Sequence, residues 1–407
     1  MIDLQQNSFL YVMHRAEMLA EGIATMSQIC IEGLSKVFAP DLTALDNVTF
    51  DVENREFVFL LGPSGAGKTT TLRLIAGLDQ PTSGQILIGG SPAAGLAPRD
   101  RDVAMVYDKH SMYPHLSVFE NMAYPLRLRG LSDSAMREKI GTTAEILDIT
   151  PLLDRRPREL SGGQQQRVAI GRALVRDANA YLMDEPISAL DAKLRAHMRV
   201  EFKRLQKELA ATILYVSHDQ LEAMTMGDKI VVLDKGVVQQ IGTPRDIFDR
   251  PMNLFVATFV GEPSMNTLPC RLMQDGGNWI VRGEQFEVIV PETWINRHDL
   301  AAHVGNALIL GIRPHRIALA SPEEAGQPNV ETGKVYAVET LGSETVYDAE
   351  IDGQIVRIWS RGAAHQNLRG NIGGPIHFRV DPNGLFLFDG QTGRTLATAS
   401  TNTDLAA

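Results

Sequence analysis

The stretch GPSGAGKTT, residues 62–70, constrains this chain of 407 residues more than any other. It sets Gly62, Gly67, Lys68 and Thr69 at the G-x-x-x-x-G-K-[ST] spacing. FVFLL (57–61) precedes it and reads as a buried strand; TTTLRLIAGL (69–78) follows and reads as a helix. A chance glycine-rich turn would lack these flanks. Between a strand and a helix, the glycines let the backbone curl until its N–H groups face inward, and the helix N-terminus adds partial positive charge. Pro63, Ser64, Gly65, Ala66 and Thr70 complete a loop that binds di- or triphosphate oxygens. Lys68 is expected to reach the β and γ phosphates, and the Thr69 hydroxyl to meet Mg²⁺.

The surrounding pattern extends this unit into a sheet. From about 28 to 245, strand-like and helix-like segments alternate. AYLMDEP (180–186) and TILYVSHD (212–219) are apolar runs ending in polar groups. Between them Leu194, Met198, Phe202, Leu205 and Leu209 recur at helical spacing on one face. Apolar strands alternating with helices predict a mostly parallel sheet covered by helices. Residues about 110–165 are helix-rich and charged, a helical insertion. After 245, Trp279, Val281, Phe286, Val288 and Val290 sit in short alternating runs broken by GG, RG and Pro, which predict a small β-barrel or sandwich.

The expected organisation is therefore an N-terminal extension over 1–25, an α/β domain over 26–245, a linker plus an all-β domain over 246–390, and a flexible tail over 391–407. The extension reads as frayed chain or a start-site artefact rather than a partner-binding helix. The formal charge of −10 gives no electrostatic footprint for nucleic acid. Cys30 and Cys270 form neither a disulfide framework nor a metal spacing, which fits a reducing cytosol. No run approaches the roughly 18 apolar residues of a membrane span.

Three further motifs carry chemistry. MDEP (183–186) closes a strand: Asp184 fits the acid that positions Mg²⁺, and Glu185 an acid that polarises an attacking water. His218 ends another strand, at the carboxyl edge where parallel sheets bind ligands. LSGGQQQR (160–167) sets Ser161 as an N-cap and two glycines as an anion nest at a helix start.

With GPSGAGKTT, LSGGQQQR, YLMDEP, SALD (188–191) and VSHD (216–219) in this order, the chain resembles the ATP-binding cassette family over about 26–245. The resemblance implies a phosphate-loop NTPase cassette with a helical subdomain. It implies two cassettes facing head to tail, each ATP lying between one subunit's phosphate loop and Ser161, Gly162, Gly163 and Gln164 of the other. It makes Phe38 the aromatic on adenine, His218 the switch histidine beside the γ-phosphate, and Asp191 part of the loop joining the two sites. The stretches 113–129 and 218–266, with GIRPHRIAL (311–319), are similar to the ATPase subunits of sugar importers, whose C-terminal domain is OB-like and regulatory. Implied partners are a second ATPase subunit, identical or different, two membrane permease subunits and a solute-binding protein, with the chain peripheral on the cytoplasmic face of the membrane. Importers of polyols, polyamines or iron share these motifs. DNA-repair cassettes insert a coiled coil before the signature, and translation cassettes come in pairs; this chain has one cassette and no sustained heptads there.

One motif departs from the family. In VAMVYDKHSMYPHLS (103–117), Asp108 stands where cassette ATPases carry a glutamine that touches Mg²⁺ and the attacking water. A carboxylate only accepts hydrogen bonds and is a good hard ligand for Mg²⁺. Against a γ-phosphate with no metal between, two unit charges 4 Å apart repel by about 4 kcal/mol at an effective dielectric near 20. Asp108 is thus expected to ligate Mg²⁺, directly or through water, or to swing out. A dimer with a different subunit whose glutamine is intact would then hold two unequal sites; a homodimer is the default.

Overall fold

The computed structural model describes residues 27–108, 112–176, 178–208, 210–351, 353–361 and 371–399. The expected extension over 1–25 lies outside these, as does Leu209 of the predicted helix face. The chain forms two compact units that divide between Pro244 and Arg245.

In the first unit, β1 (Ser27–Phe38), β2 (Leu42–Glu53), β4 (Ser83–Ile88) and β5 (Ser91–Pro92) make an antiparallel sheet in the order β2-β1-β4-β5. Between them β3 (Phe57–Leu61) runs through the phosphate loop into α1 (Lys68–Ala76). Then follow β6 (Val103–Val106), α2 (Val118–Leu128), α3 (Asp133–Ile146), α4 (Gly162–Leu174), β7 (Ala180–Asp184), α5 (Ala192–Glu208), β8 (Ile213–Ser217), α6 (Gln220–Met226), β9 (Lys229–Asp234) and β10 (Val237–Gly242). The second sheet runs β10-β9-β3-β8-β7-β6, parallel from β9 to β6, with β10 antiparallel at its edge.

The apolar runs explain this order. β3, β7 and β8 are buried at every position, as a sheet covered on both faces requires. Ile29 and Ile31 of β1, Leu60 of β3, Val216 of β8 and Leu72 and Ile75 of α1 share one core. Met198, Phe202 and Leu205 of α5 are buried as its periodicity predicts, with the Phe202 and Tyr215 rings edge to face at 6.0 Å. Burying one such aromatic contributes about 2–3 kcal/mol. The predicted helical insertion is α2, α3 and the start of α4.

The second unit begins one residue into α7 (Pro244–Asp249) and holds α8 (Leu254–Phe259), β11 (Asn266–Asp275), β12 (Asn278–Arg282), β13 (Glu287–Val290), α9 (Glu292–Arg297), β14 (Leu308–Ile312), β15 (Ile317–Leu319), β16 (Val330–Leu341), β17 (Glu344–Ile351), β18 (Gln354–Arg361), β19 (Pro375–Val380), β20 (Leu385–Asp389) and β21 (Thr395–Ala397). They form two antiparallel sheets, β13-β12-β11-β14-β20-β21 and β15-β19-β16-β17-β18. Val281, Phe286, Val288 and Val290 enter one core with Ile358 and Phe378 from the other sheet.

Two expectations need correction. The segment after 245 is packed helix, not linker. Buried Arg313 donates to the carbonyls of Phe248 at 2.8 Å and Ala257 at 3.1 Å and lies over the Phe248 ring. Nor is the chain a free tail from 391. Thr395–Ala397 pairs with β20, Ala397 is buried, and Trp294 donates its indole N–H to the Thr398 carbonyl at 3.0 Å. Small polar residues carry no apolar period, but a sheet edge and a buried indole supply the partners that order them. Residues 400–407 lie outside the described chain.

Candidate active site

The carboxyl ends of β3, β7 and β8 converge, and there the predicted motifs meet. A cavity of about 670 Å³ is lined by Ser64, Gly65, Gly67, Lys68, Thr69 and Thr70 of the loop, Glu185 after β7 and His218 after β8. Phe38, at the end of β1, forms another wall with Leu42, Thr43 and Ala44 at the start of β2. One face of the Phe38 ring carries the Lys36 ammonium, 4.7 Å from its centre. Leu42, Thr43 and Ala44 carry no motif and are not expected from the sequence.

The loop is locked from outside. Gly67 has φ 102°, and a side chain there would meet the Ala44 carbonyl at 2.6 Å. Gly62 is pressed against the Leu233 carbonyl of β9. The turn after β9 closes the contact: Asp46 N–H donates to the Gly236 carbonyl at 2.9 Å, and Gly236 N–H to the Ala66 carbonyl at 3.1 Å. The first turn of α1 has no acid and no side-chain cap, so its N–H groups face the cavity uncontested by a carboxylate. Lys68 is buried and donates to the carbonyls of Gly62 at 2.8 Å and Pro63 at 2.9 Å. Burial lowers its pKa, against the pull of Glu185 and Asp184.

The acids occupy distinct places. Thr69 donates its hydroxyl to Asp184 Oδ1 at 3.2 Å. Burial pushes the Asp184 carboxyl up to about 6; Asp108 and Glu185 push the same way, and Thr69 and Lys68 oppose them. Asp108, exposed after β6, thus acts on Asp184 through space; the loop beyond it, 109–111, lies outside the described residues. Glu185 sits at φ 45°, a left-handed backbone that non-glycine residues rarely adopt and that costs about 1–3 kcal/mol. Its N–H donates to the Val216 carbonyl at 3.0 Å, its carbonyl accepts from Ser188 N–H at 3.2 Å and the Ser188 hydroxyl at 2.9 Å, and its Oε1 lies 3.0 Å from His218 Nδ1.

This donor set fits Mg²⁺. Thr69 and Asp184 offer adjacent hard oxygens, and a cation there would hold the buried Asp184 ionised. Mg²⁺ commonly takes one or two carboxylates and completes its shell with phosphate oxygens and water, so no cage of acids is needed; among the described residues there is none.

A pH dependence follows. The folded chain keeps a proton on Asp184 that the unfolded chain, at its ordinary 3.8, gives up. Stability from this group therefore falls as pH rises from about 4 to 6. Asp184→Asn is expected to raise the melting temperature of nucleotide-free protein at pH 8 by about 5 °C. The gain should shrink at pH 5, and an equal gain at both pH values in a thermal scan would refute the electrostatic cause.

The signature residues stand elsewhere. Ser161 caps α4, its hydroxyl accepting from Gln164 N–H at 3.4 Å while Gln164 Oε1 accepts from Ser161 N–H at 2.9 Å. Ser161 and Gly162 are exposed, and none of residues 161–164 lines the cavity of its own chain. Asp191 caps the start of α5 by accepting from Leu194 N–H at 2.9 Å. Asn121 of α2 was also missed. It is fully buried, accepts from Tyr113 N–H at 2.8 Å and donates to the carbonyls of Tyr113, Leu116 and Ser117. It therefore shapes the loop 113–117, whose Tyr113 ring meets Tyr124 of α2 at a tilt of 49° with centres 4.8 Å apart, both partly exposed.

Residues 45–188 match the ABC transporter family, 261–317 the MalK OB fold domain and 310–388 the TOBE domain. The chain is 42% identical over 379 residues to the trehalose/maltose import ATP-binding protein MalK of Thermococcus litoralis, covering 91% of this chain and 100% of that protein. It is 43% identical over 372 residues to the sn-glycerol-3-phosphate import ATP-binding protein UgpC of Cereibacter sphaeroides, with coverages of 91% and 100%. A dimeric bacterial ABC transporter cassette superimposes with a TM-score of 0.50 at 30% identity, over 53% of this chain and 99% of that one. The same scores hold for a cassette dimer in a post-hydrolysis state bound to ADP and Pi.

Proposed function

This chain belongs to the ABC transporter family, and from that premise we propose that it is the ATP-hydrolysing subunit of an importer for sugars or glycerol phosphates. Two copies face head to tail, and each ATP lies between one copy's phosphate loop and Ser161, Gly162, Gly163 and Gln164 of the other. The observation that carries this reading is the division of the motifs. Phosphate loop, Glu185 and His218 line one cavity, whereas the signature serine is exposed away from it.

Within the site, Phe38 takes the adenine face left open by Lys36. Lys68 and the loop N–H groups hold the phosphates. Thr69 and Asp184, with Asp108 directly or through water, would hold Mg²⁺, which offsets phosphate charge when bound. Glu185 accepts a proton from the water whose oxygen attacks the γ-phosphorus as the bond to the ADP oxygen breaks. His218, tied to Glu185, faces the γ-phosphate. Among the described residues no helix is long and apolar enough to cross a membrane. Transport then requires separate permease subunits, for which the exposed Tyr113–Tyr124 pair offers a docking face on the cytoplasmic side. A solute-binding protein supplies the cargo.

Reconstitution with the permease tests this: uptake of a maltose-type sugar or glycerol phosphate into vesicles should require internal ATP. Uptake of a polyamine or iron instead would move the cargo assignment, and hydrolysis stimulated by DNA or RNA would refute transport. Asp108→Gln is expected to raise coupled turnover about two- to fivefold, because the amide both donates and accepts beside the attacking water whereas the carboxylate only accepts. Unchanged turnover and Mg²⁺ affinity would leave Asp108 without a special role.

A further inference from the structure

His218 leaves β8 with its side chain 60% exposed, so little packing fixes its direction. Its orientation comes from its contact with Glu185 and from the backbone on either side. That backbone is closed into a ring. Ser217, buried at the end of β8, accepts a hydrogen bond from Asp219 N–H at 2.9 Å and donates its hydroxyl to Glu222 Oε2 at 2.8 Å. Asp219 in turn accepts from Leu221 N–H at 2.8 Å and Glu222 N–H at 3.3 Å. His218 is the residue between Ser217 and Asp219, and its side chain runs out of the ring to Glu185.

Glu222 is an expensive closure. It is 3% exposed, with no cation in hydrogen-bond contact among the described residues. Arg199 acts on it only through space, and Asp219 opposes its charge. The buried Tyr215 hydroxyl also faces Glu222 and helps hold its charge, though outside good hydrogen-bond geometry. An apolar side chain would fill this place at a lower desolvation cost. A buried carboxyl that accepts from the serine beside the switch histidine is explained by what it holds in place.

We infer that Glu222 is a positioning residue for hydrolysis: through the Ser217 hydroxyl it fixes the backbone flanking His218 and so aims the imidazole at Glu185. This rests on the assignment of Glu185 and His218 under the proposed function. It adds a residue that touches neither nucleotide nor water.

The test is steady-state hydrolysis by the full chain, with single-turnover measurements for slow variants. Glu222→Leu is expected to melt somewhat lower, since the buried Ser217 hydroxyl loses its acceptor, to lose at least about tenfold in kcat and to keep KM for ATP within about twofold. Glu222→Gln, which still accepts from Ser217, should retain more than half of kcat. Ser217→Ala should match Glu222→Leu, and it decides the matter on the same criteria should Glu222→Leu fail to fold. In a His218→Ala background neither change should cost anything further, which a merely structural role would not produce. A drop in His218→Ala with wild-type rates in Glu222→Leu and Ser217→Ala would overturn this inference and leave the site assignment standing. Wild-type turnover in His218→Ala would instead sink that assignment.

Discussion

Glu185→Gln is expected to bind ATP as tightly as wild type and to hydrolyse it about 10²–10⁴-fold more slowly. The amide keeps the shape of the carboxyl and can still meet His218, so the left-handed backbone at 185 and the bond to Val216 remain. What it loses is the capacity to accept the water's proton. Binding draws on Lys68, the loop N–H groups and Phe38; of these only Lys68 feels the Glu185 charge, and Asp184 still supports its ammonium. With hydrolysis blocked and binding intact, the closed pair of subunits should accumulate, so ATP should shift the variant to a stable dimer in sizing experiments. Near-normal turnover in the complex with permease would remove Glu185 from its role.

The second large effect comes from combining two inactive proteins. Lys68→Ala removes the phosphate contact, and Ser161→Arg fills the exposed signature surface. Each alone should hydrolyse ATP at under about 1% of the wild-type rate. Mixed in equal amounts, half the dimers are hybrids in which one site pairs an intact Lys68 with an intact Ser161. The other site of each hybrid carries both lesions. The mixture should recover up to about a quarter of wild-type turnover, since a two-fold dimer builds both sites from reciprocal halves. If the signature acted within its own chain, neither copy would hold a complete site and mixing would restore nothing.

What could be read from the sequence follows a physical line. The phosphate loop was legible because phosphate cradling demands glycine conformations, a lysine and a hydroxyl at fixed spacing between a strand and a helix. Asp184, Glu185 and His218 were legible because they end apolar strands at the edge where parallel sheets carry ligands. Leu42, Thr43 and Ala44 were not, since a strand start can line a cavity without any distinctive residue. Asn121 was invisible for a similar reason: an amide in a helix means little until the carbonyls it meets are known. Glu222 reads as one more polar residue on a short helix, and its burial appears only when β8 lies beside it. Thr395–Ala397 looked like tail because its order comes from β20 and Trp294, not from its own composition. The left-handed backbone of Glu185 has no signature in MDEP.

The lock around Gly62 and Gly67 also sets when the site can exist during synthesis. The loop is made early, yet its shape is closed by Ala44 on one side and by Leu233 and Gly236 on the other. Those last residues leave the ribosome after the helical insertion, β7 and β8 have all emerged. A nascent chain that already displays the complete GPSGAGKTT motif therefore lacks the wall that holds it in register. Nucleotide cannot act as an early folding template here; it can capture the cassette only once the β9–β10 hairpin has docked.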